Sequence, residues 1–369
     1  MLATRDLLQM GKGFERSNIA SMAGYVPGEQ LAGTGIIKLN TNESPYPPSP
    51  KVQAALAQIT AKELRRYPQP TADDFRAAAA SVHGVKSDQI IATRGGDELL
   101  RLLLTTFVEP GQRVGMTDPT YSLYPVLTAI QDASSVSIPL EDDWSLPADF
   151  AQRINAEGCV LTFIVNPHAP TGALLSQDTL EQIAKSLNGM LVVDEAYVDF
   201  VDNSEHDLTE WAVNTENVVL LRTLSKGYGL AGLRFGYGIG PADLISPMLY
   251  KTRDSYNLDM ISQALAEAAI ADQAYAKYTW QKVIKQRARL SLALNALGLA
   301  TPHSEANFLL VTLPQQSKIT AESLYLALKQ EGILVRYFDH ERMHDKLRIT
   351  VGTDAENTVL LEHLTKLLA

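Results

Sequence analysis

Thr223-Leu-Ser-Lys226-Gly-Tyr-Gly-Leu-Ala-Gly-Leu-Arg234-Phe-Gly-Tyr237 decides how this chain is read. It follows a short apolar run at 218–221, so its lysine sits just past a predicted strand, beside the hydroxyls of Thr223 and Ser225. Arg234 comes eight residues later, across a glycine-rich stretch. Lysine forms Schiff bases with carbonyl compounds. Two hydroxyls and a guanidinium are groups that hold a phosphate dianion. A bare Ser-Lys pair also fits a solvated loop. The choice between these readings rests on the surrounding chain.

Upstream, Met190-Leu-Val-Val193 reads as a buried strand, and Asp194-Glu195-Ala196-Tyr197 follows it directly. Carboxylates at the C-terminal end of a parallel strand face the ligand crevice of an α/β sheet. Pyridoxal phosphate (PLP) requires a carboxylate under its pyridine nitrogen and a reactive lysine. Asp194 and Lys226 fit those needs, and Tyr197 fits as a donor to the ring's phenolic oxygen. Between Asp194 and Lys226 there is room for one connecting segment and one more strand.

The same alternation runs through much of the chain. Strand-like runs occupy 89–93, 113–117, 135–140, 160–166, 190–193, 218–221 and 235–239, and helical patterns occupy 52–59, 71–82, 97–107, 123–130 and 179–187. This predicts an α/β fold, a mostly parallel sheet covered by helices. Residues 262–297 read as one long or broken helix. Beyond it lie strands near 308–312, 333–338 and 347–351 and a closing helix over 354–368, a smaller α/β unit. The expected division is an N-terminal arm at 1–42 joining the small unit, a large cofactor-binding unit at 43–265 and the small C-terminal unit at 266–369.

Composition narrows the classes. The chain has 369 residues, 46% hydrophobic and 20% charged, as ordinary soluble globular proteins do. A net charge of −10 without a basic tract argues against nucleic-acid or anionic-membrane partners. The single cysteine, Cys159, excludes an intrachain disulfide and fits a reducing, cytoplasmic compartment. No stretch has the length of a membrane span, and the charged Met1-Leu-Ala-Thr-Arg-Asp6 lacks a signal peptide's apolar region.

Further segments could carry chemistry. Arg94-Gly95-Gly96-Asp97-Glu98 joins a strand to a leucine-rich helix, where glycines and a helix N-terminus suit a phosphate, or Asp97 serves only as a cap. Tyr121, after Asp118-Pro-Thr, could stack on a flat heterocycle or be ordinary core. Asn166-Pro-His-Ala-Pro-Thr-Gly172 is a rigid turn. Arg336 and Arg348 fall on predicted strands of the small unit, as anion sites or as structural ion pairs. His340-Glu-Arg-Met-His344 matches a zinc-hydrolase signature, but it lies between two strands with no room for the helix that chemistry needs. No metal is expected.

In this order, these segments resemble the fold-type-I PLP-dependent aminotransferases, and among them those of histidine biosynthesis. The resemblance runs from about Tyr25 to Gly352. It rests on Asn42-Glu-Ser-Pro-Tyr46, Arg66-Tyr67-Pro68, the segments at 94–98 and 118–121, the Pro-Thr-Gly turn, Asp194–Tyr197, Arg222–Arg234 and the segment at 347–353. The most specific string is Arg-Thr-Leu-Ser-Lys-x-x-Gly-Leu-Ala-Gly-Leu-Arg.

The resemblance implies roles. Lys226 would carry the cofactor as a Schiff base and act as general base. Asp194 would pair with the pyridinium, Tyr197 would donate to the ring oxygen, and Tyr121 would stack. Gly96, Asp97, Ser225, Arg234 and Thr223 would hold the phosphate, and Tyr67 would reach the cofactor phosphate of the neighbouring subunit in a homodimer. Tyr25, Asn42, Arg336 and Arg348 would bind substrate. The implied reaction exchanges an amino group between histidinol phosphate and 2-oxoglutarate. Aromatic amino-acid transamination and phosphothreonine decarboxylation are the alternatives on the same scaffold. A ligand-sensing regulator would bring a basic helix-turn-helix module, for which no segment has room. One position departs from the family. The asparagine directly before Pro-Thr-Gly, a second donor to the ring oxygen, is Ala169 here. Tyr197 acts alone, or Asn166, His168 or a water substitutes.

Overall fold

The computed structural model describes residues 13–26, 28–30, 33, 35–203 and 205–368. Met1–Asp6 and part of the expected arm lie outside them. Its first strand, β1 (Ile37–Lys38), falls within the residues expected to form the arm. The next seven are β2 (Ile90–Thr93), β3 (Arg113–Asp118), β4 (Ser134–Pro139), β5 (Cys159–Val165), β6 (Met190–Asp194), β7 (Val218–Thr223) and β8 (Gly236–Ile239). They form one sheet in the order β2-β8-β7-β6-β5-β3-β4. From β7 to β4 all pairs are parallel, while β8 runs antiparallel to both of its neighbours.

The sheet forms because its central strands β5, β6 and β7 are apolar on both sides, while the edge strand β4 is mostly exposed. A parallel sheet covered by helices on both faces buries both sets of side chains. Along β6, Leu191 and Val193 join one apolar cluster while Val192 joins the other, and β7 alternates likewise. One face packs against Phe75, Phe150 and Leu180, the other against Leu99, Leu103 and Tyr124. Register fixes where the chemistry sits. Val165 pairs with Asp194, and Asp194 pairs with Leu221, so β5, β6 and β7 end along one sheet edge.

A second, antiparallel sheet of order β11-β12-β9 contains β9 (Phe308–Thr312), β11 (Arg336–Tyr337) and β12 (Lys346–Thr350). It has its own core, including Leu290, Leu309, Leu324, Ile349 and Leu360, with helices Gln273–Ala296, Ala321–Gln330 and Asp354–Leu368 around it. The strand expected over 333–338 divides at Val335. β10 (Ile333–Leu334) pairs in parallel with β1, whereas β11 turns to pair with β12. The helical run at 262–297 is broken into Met260–Ile270 and Gln273–Ala296. Asp272 lies at the break, outside helical geometry (ψ 60°), with its carboxylate bound to Ser49 and Lys51. Among the described residues, five helices escape the sequence reading: Ser17–Ser21, Phe150–Ala156, Thr209–Val213, Ala242–Pro247 and Ala321–Gln330. Phe150–Ala156 is too short to show periodicity, while Ala321–Gln330 carries a signal in its Thr320 cap, which accepts from the Ser323 amide.

Candidate active site

A cavity of about 470 Å³ opens at the C-terminal ends of β3, β5, β6 and β7, with β11 and β12 forming another wall. It is lined by Lys226, Asp194, Tyr197, Gly96, Asp97, Tyr121, Thr223, Ser225, Arg234, Tyr25, Asn42, Arg336 and Arg348. Of the site residues expected from sequence, only Tyr67 lies outside its lining. Tyr67 is 80% exposed and stacks on Tyr256, ring centres 4.5 Å apart.

Lys226 follows β7, and its Nζ donates to the Thr41 carbonyl at 2.9 Å. Burial, aided by the charge of Arg348, pushes its ammonium down to about 8, against a smaller opposing pull from Glu43. A lysine so placed has a larger neutral, nucleophilic fraction near neutrality than a free one.

Asp194 ends β6 and is 4% exposed. Tyr124 Oη donates to its Oδ2 at 2.7 Å, and the Ala196 amide donates to its Oδ1 at 3.0 Å. Among the described residues no lysine or arginine pairs with it, and burial pushes its carboxyl up to about 6 despite the hydrogen bonds. The adjacent Glu195 faces away from this role. It accepts from Arg222 Nε at 2.8 Å, in a buried pair that Asp207 extends. The Asp-Glu doublet thus separates into a structural carboxylate and one lacking a cation. Tyr124 was not singled out from sequence. Its only signal is a three-residue spacing from Tyr121, against which its ring lies edge-on at 5.5 Å.

Tyr197 is buried against Phe308, and its hydroxyl accepts from Asn42 Nδ2 at 3.0 Å. Burial raises its phenol, and Arg348 and the Asn42 bond oppose that shift. Asn42 itself lines the cavity with its amide already engaged by Tyr197 and Thr350.

An anion cradle lies at the start of helix Gly95–Phe107. Gly95 has φ +76°, and a Cβ there would come 2.9 Å from Arg234 Nη2; one on Gly96 would come 3.0 Å from Leu221 Cδ2. Glycine is therefore required at 95 by conformation and favoured at both positions by space. Arg234 is itself left-handed (φ 57°), and its Nη2 meets Asp97 Oδ2 at 3.0 Å. Thr223 Oγ1 accepts from the Ser225 amide at 3.1 Å and lies 3.0 Å from Ser225 Oγ. Gly96, Asp97, Thr223, Ser225 and Arg234 all line the cavity, and donors at a helix N-terminus suit a phosphate.

Arg336 and Arg348 face the cavity from the second sheet. Arg348 Nη2 donates to the Asn40 carbonyl at 3.0 Å, while its buried Nε finds no partner among the described residues. Its guanidinium lies over the Phe308 and Phe338 rings at 5.2 and 5.5 Å.

The turn at 166–172 answers the question raised at Ala169. Asn166 uses its amide on both backbone groups of Leu175, at 2.7 and 3.3 Å. His168 is fixed by Thr171 Oγ1 at 2.8 Å and the Pro119 carbonyl at 3.0 Å, and burial pushes its imidazole down to about 4. Neither side chain is available as a cavity donor. In the His-Glu-x-x-His segment, His340 Nε2 lies 3.5 Å from Asp118 while His344 Nδ1 rests on the Glu341 carbonyl. Among the described residues no group of three or more His, Cys, Asp or Glu side chains is placed to hold a metal ion.

Comparison with known proteins agrees with this geometry. The family described as aminotransferase class I and II matches residues 34–364. A histidinol-phosphate aminotransferase 1 of Trichormus variabilis is 48% identical over 354 residues, covering 96% of this chain and 98% of the relative. A histidinol-phosphate aminotransferase of Rippkaea orientalis is 42% identical, over 94% and 96% of the two chains. Among solved structures, the histidinol-phosphate aminotransferase of Sinorhizobium meliloti in complex with pyridoxal-5'-phosphate superposes with a TM-score of 0.88 at 26% identity, covering 98% of this chain and all of that one.

Proposed function

We propose that this chain, which belongs to the class I and II aminotransferases, is a PLP-dependent transaminase. Its reaction converts histidinol phosphate and 2-oxoglutarate to imidazole-acetol phosphate and glutamate, in histidine biosynthesis. The observation that carries this reading is the pairing, in one cavity, of a lysine pushed down to about 8 with a buried carboxylate that lacks a cation. The relatives' names supply the substrate.

The residues fit PLP. Asp194 is a buried carboxylate in want of a cation, which a protonated pyridine nitrogen provides. The Gly96 and Asp97 amides, Thr223, Ser225 and Arg234 offer a phosphate the donors it needs. Tyr121 presents a ring face for stacking, and Tyr197 a hydroxyl for the ring oxygen. When bound, PLP supplies an electron sink that lets the hydrogen on the amine-bearing carbon leave as a proton. Lys226 Nζ takes and returns that proton. Arg336, Arg348 and Tyr25 hold the anionic end of the substrate. An arginine fork accepts phosphate or carboxylate bidentately, so one site serves both the phosphorylated amine and 2-oxoglutarate in a ping-pong cycle.

The chain acts as a homodimer in this reading. Support comes from Tyr67, an exposed tyrosine in an aromatic stack outside the cavity, suited to reach the partner's cofactor phosphate. The second sheet and its own core support a division into units at 43–265 and 266–369, with the boundary inside helix Met260–Ile270, whose Ala266, Ala269 and Ile270 pack in the core of the larger sheet. A single cysteine, buried at 159, supports a cytoplasmic setting.

A transamination panel with histidinol phosphate, phenylalanine, tyrosine and phosphothreonine as amino donors tests the reaction. Histidinol phosphate is expected to be the best donor, and the protein to be yellow. Borohydride should fix the cofactor on the Lys226 peptide. Label on another lysine, or preference for an unphosphorylated aromatic amino acid, would overturn the assignment.

A further inference from the structure

We propose that Asn42 is a positioning residue that aims the Tyr197 hydroxyl into the cavity, where Ala169 leaves Tyr197 without a second donor beside it. This rests on the PLP reading above and names the device that orients one of its donors.

The argument begins with the orientation of an amide. Thr350 Oγ1 accepts from the Asn42 backbone N–H at 3.0 Å, so its own proton is directed elsewhere, and Asn42 Oδ1 lies 3.0 Å away to receive it. Asn42 Oδ1 is therefore the acceptor, and Nδ2 is left to face Tyr197 Oη at 3.0 Å. A phenol oxygen both accepts and donates one bond. With Asn42 donating to it, the Tyr197 proton is free to point into the cavity rather than back at its support.

Asn42 is held as a fixed part. It is 1% exposed, and Asn307 Nδ2 donates to its carbonyl at 3.0 Å. Its backbone is left-handed, φ 58°, a conformation asparagine tolerates far better than most residues with a Cβ. Such strain persists where the surroundings over-determine it and clusters at functional sites. The support bridges the two sheets, since Thr350 lies on β12 while Tyr197 follows β6. Asn166 and His168, the nearby polar residues of the Pro-Thr-Gly turn, are occupied by that turn. Burial works against ionising the Tyr197 phenol, and the Asn42 bond offsets part of that effect.

The test reads the visible absorption of the holoenzyme against pH. A donor at the ring oxygen draws off negative charge and makes the neighbouring Lys226 nitrogen less basic, so weakening that donor raises the midpoint. Glycine suits the left-handed backbone, so Asn42→Gly removes the amide without adding strain. Arg348, Glu43, Arg234 and Asp97, the charged groups around Lys226, stay in place. The expected rise is roughly 0.4–1 pH unit, what one ordinary hydrogen bond supplies. Tyr197→Phe should raise the midpoint further, and Asn42→Gly should add little in that background, because coupled residues are non-additive. Asn42→Asp keeps the shape and the Thr350 contact but offers Tyr197 an acceptor, turning its proton away from the cavity. It should shift the midpoint in the same direction even if the glycine variant folds poorly. An unchanged midpoint in both Asn42 variants, or a glycine shift undiminished by Tyr197→Phe, overturns the proposal alone. A wild-type protein that binds no visible chromophore overturns the PLP reading and this inference with it.

Discussion

Arg336 and Arg348 stand directly opposite each other across β11 and β12, Cα partners in the antiparallel register. Like charges opposite one another destabilise a sheet. Both line the cavity, and Arg348 is half-buried, with its buried Nε lacking a hydrogen-bond partner among the described residues. An anion between them would relieve the repulsion and satisfy the free donors.

Arg348→Lys keeps the charge and loses the fork. Hydrogen bonds to charged groups contribute roughly 1.5–3 kcal/mol, so each half-reaction should weaken by about 10–100-fold. Melting without substrate should change little. A purely structural arginine predicts the reverse, since Arg348 also holds the Asn40 carbonyl. Single-turnover measurement of both half-reactions, beside a melting curve, separates them. Lost stability with both affinities intact would refute the dual anion role.

Asp194→Asn should act oppositely on the two forms of the protein. In the cofactor-free form its carboxyl stands near 6, above the ordinary 3.8, because burial disfavours the charge. A raised folded value means the native state binds the proton more tightly than the unfolded one. Stability is thus full below pH 4 and falls as pH rises from about 4 through 6. Above that window the ionised carboxylate costs on the order of 2–3 kcal/mol. Cofactor-free Asp194→Asn should therefore melt a few degrees higher than wild type at pH 7.5 and match it more closely at pH 4. With cofactor, an amide cannot hold the pyridine nitrogen protonated. Breaking such a buried pair costs roughly 3–5 kcal/mol, so turnover should drop by about 10²–10³-fold or more. Near-normal turnover would show that the pyridinium partner lies elsewhere.

Arg342 joins the two walls of the cavity. It sits in the connection from β11 to β12, where His340 and Met343 line the cavity. Its guanidinium donates to the Leu140 and Glu141 carbonyls, at 2.7 and 2.8 Å, and lies 4.8 Å from the centre of Trp144. Those residues follow β4 of the larger sheet. Arg342→Ala should loosen the wall that carries Arg336 and Arg348. With these bonds partly solvated, KM for both substrates should rise by about 3–10-fold while kcat moves less, the size of one ordinary hydrogen bond. Steady-state kinetics check this, and unchanged KM values would show that the contact is incidental.

The chemistry that the sequence made legible is local. Asp194 ends one apolar strand and Lys226 lies just past the end of another, and the C-terminal ends of parallel strands face the crevice. The glycine-rich entry to helix Gly95–Phe107 is equally a matter of neighbours in sequence. What sequence missed depends on distant pairs. Asn42 meets Tyr197 across 155 residues, and Tyr124 meets Asp194 across 70, with no periodicity to announce either. The resemblance implies Asn42 as a substrate contact, and in the structure its amide is engaged by Tyr197 and Thr350. The strand at 333–338 reads as continuous because its break at Val335 is set by two partners, β1 and β12, that no local pattern encodes.

Tyr67 is the one expected site residue that its own chain does not bring to the cavity, and its position makes a prediction about subunits. It is exposed, and its stack on Tyr256 leaves the hydroxyl without a hydrogen bond among the described residues. If it serves the partner's cofactor phosphate, activity must be recoverable by mixing defects. In a heterodimer of Tyr67→Phe and Lys226→Ala chains, the one lysine-bearing site receives an intact Tyr67 from its partner. That site should outperform, per lysine, either site of the Tyr67→Phe homodimer. The gain should be about 10-fold if one hydrogen bond to a charged phosphate is restored. If Tyr67 acts within its own chain, the same site keeps its phenylalanine and gains nothing. Tagged co-expression, purification of the heterodimer and turnover per bound cofactor give the comparison. A fully active monomer, or a heterodimer no better than the Tyr67→Phe parent, would remove Tyr67 from the site.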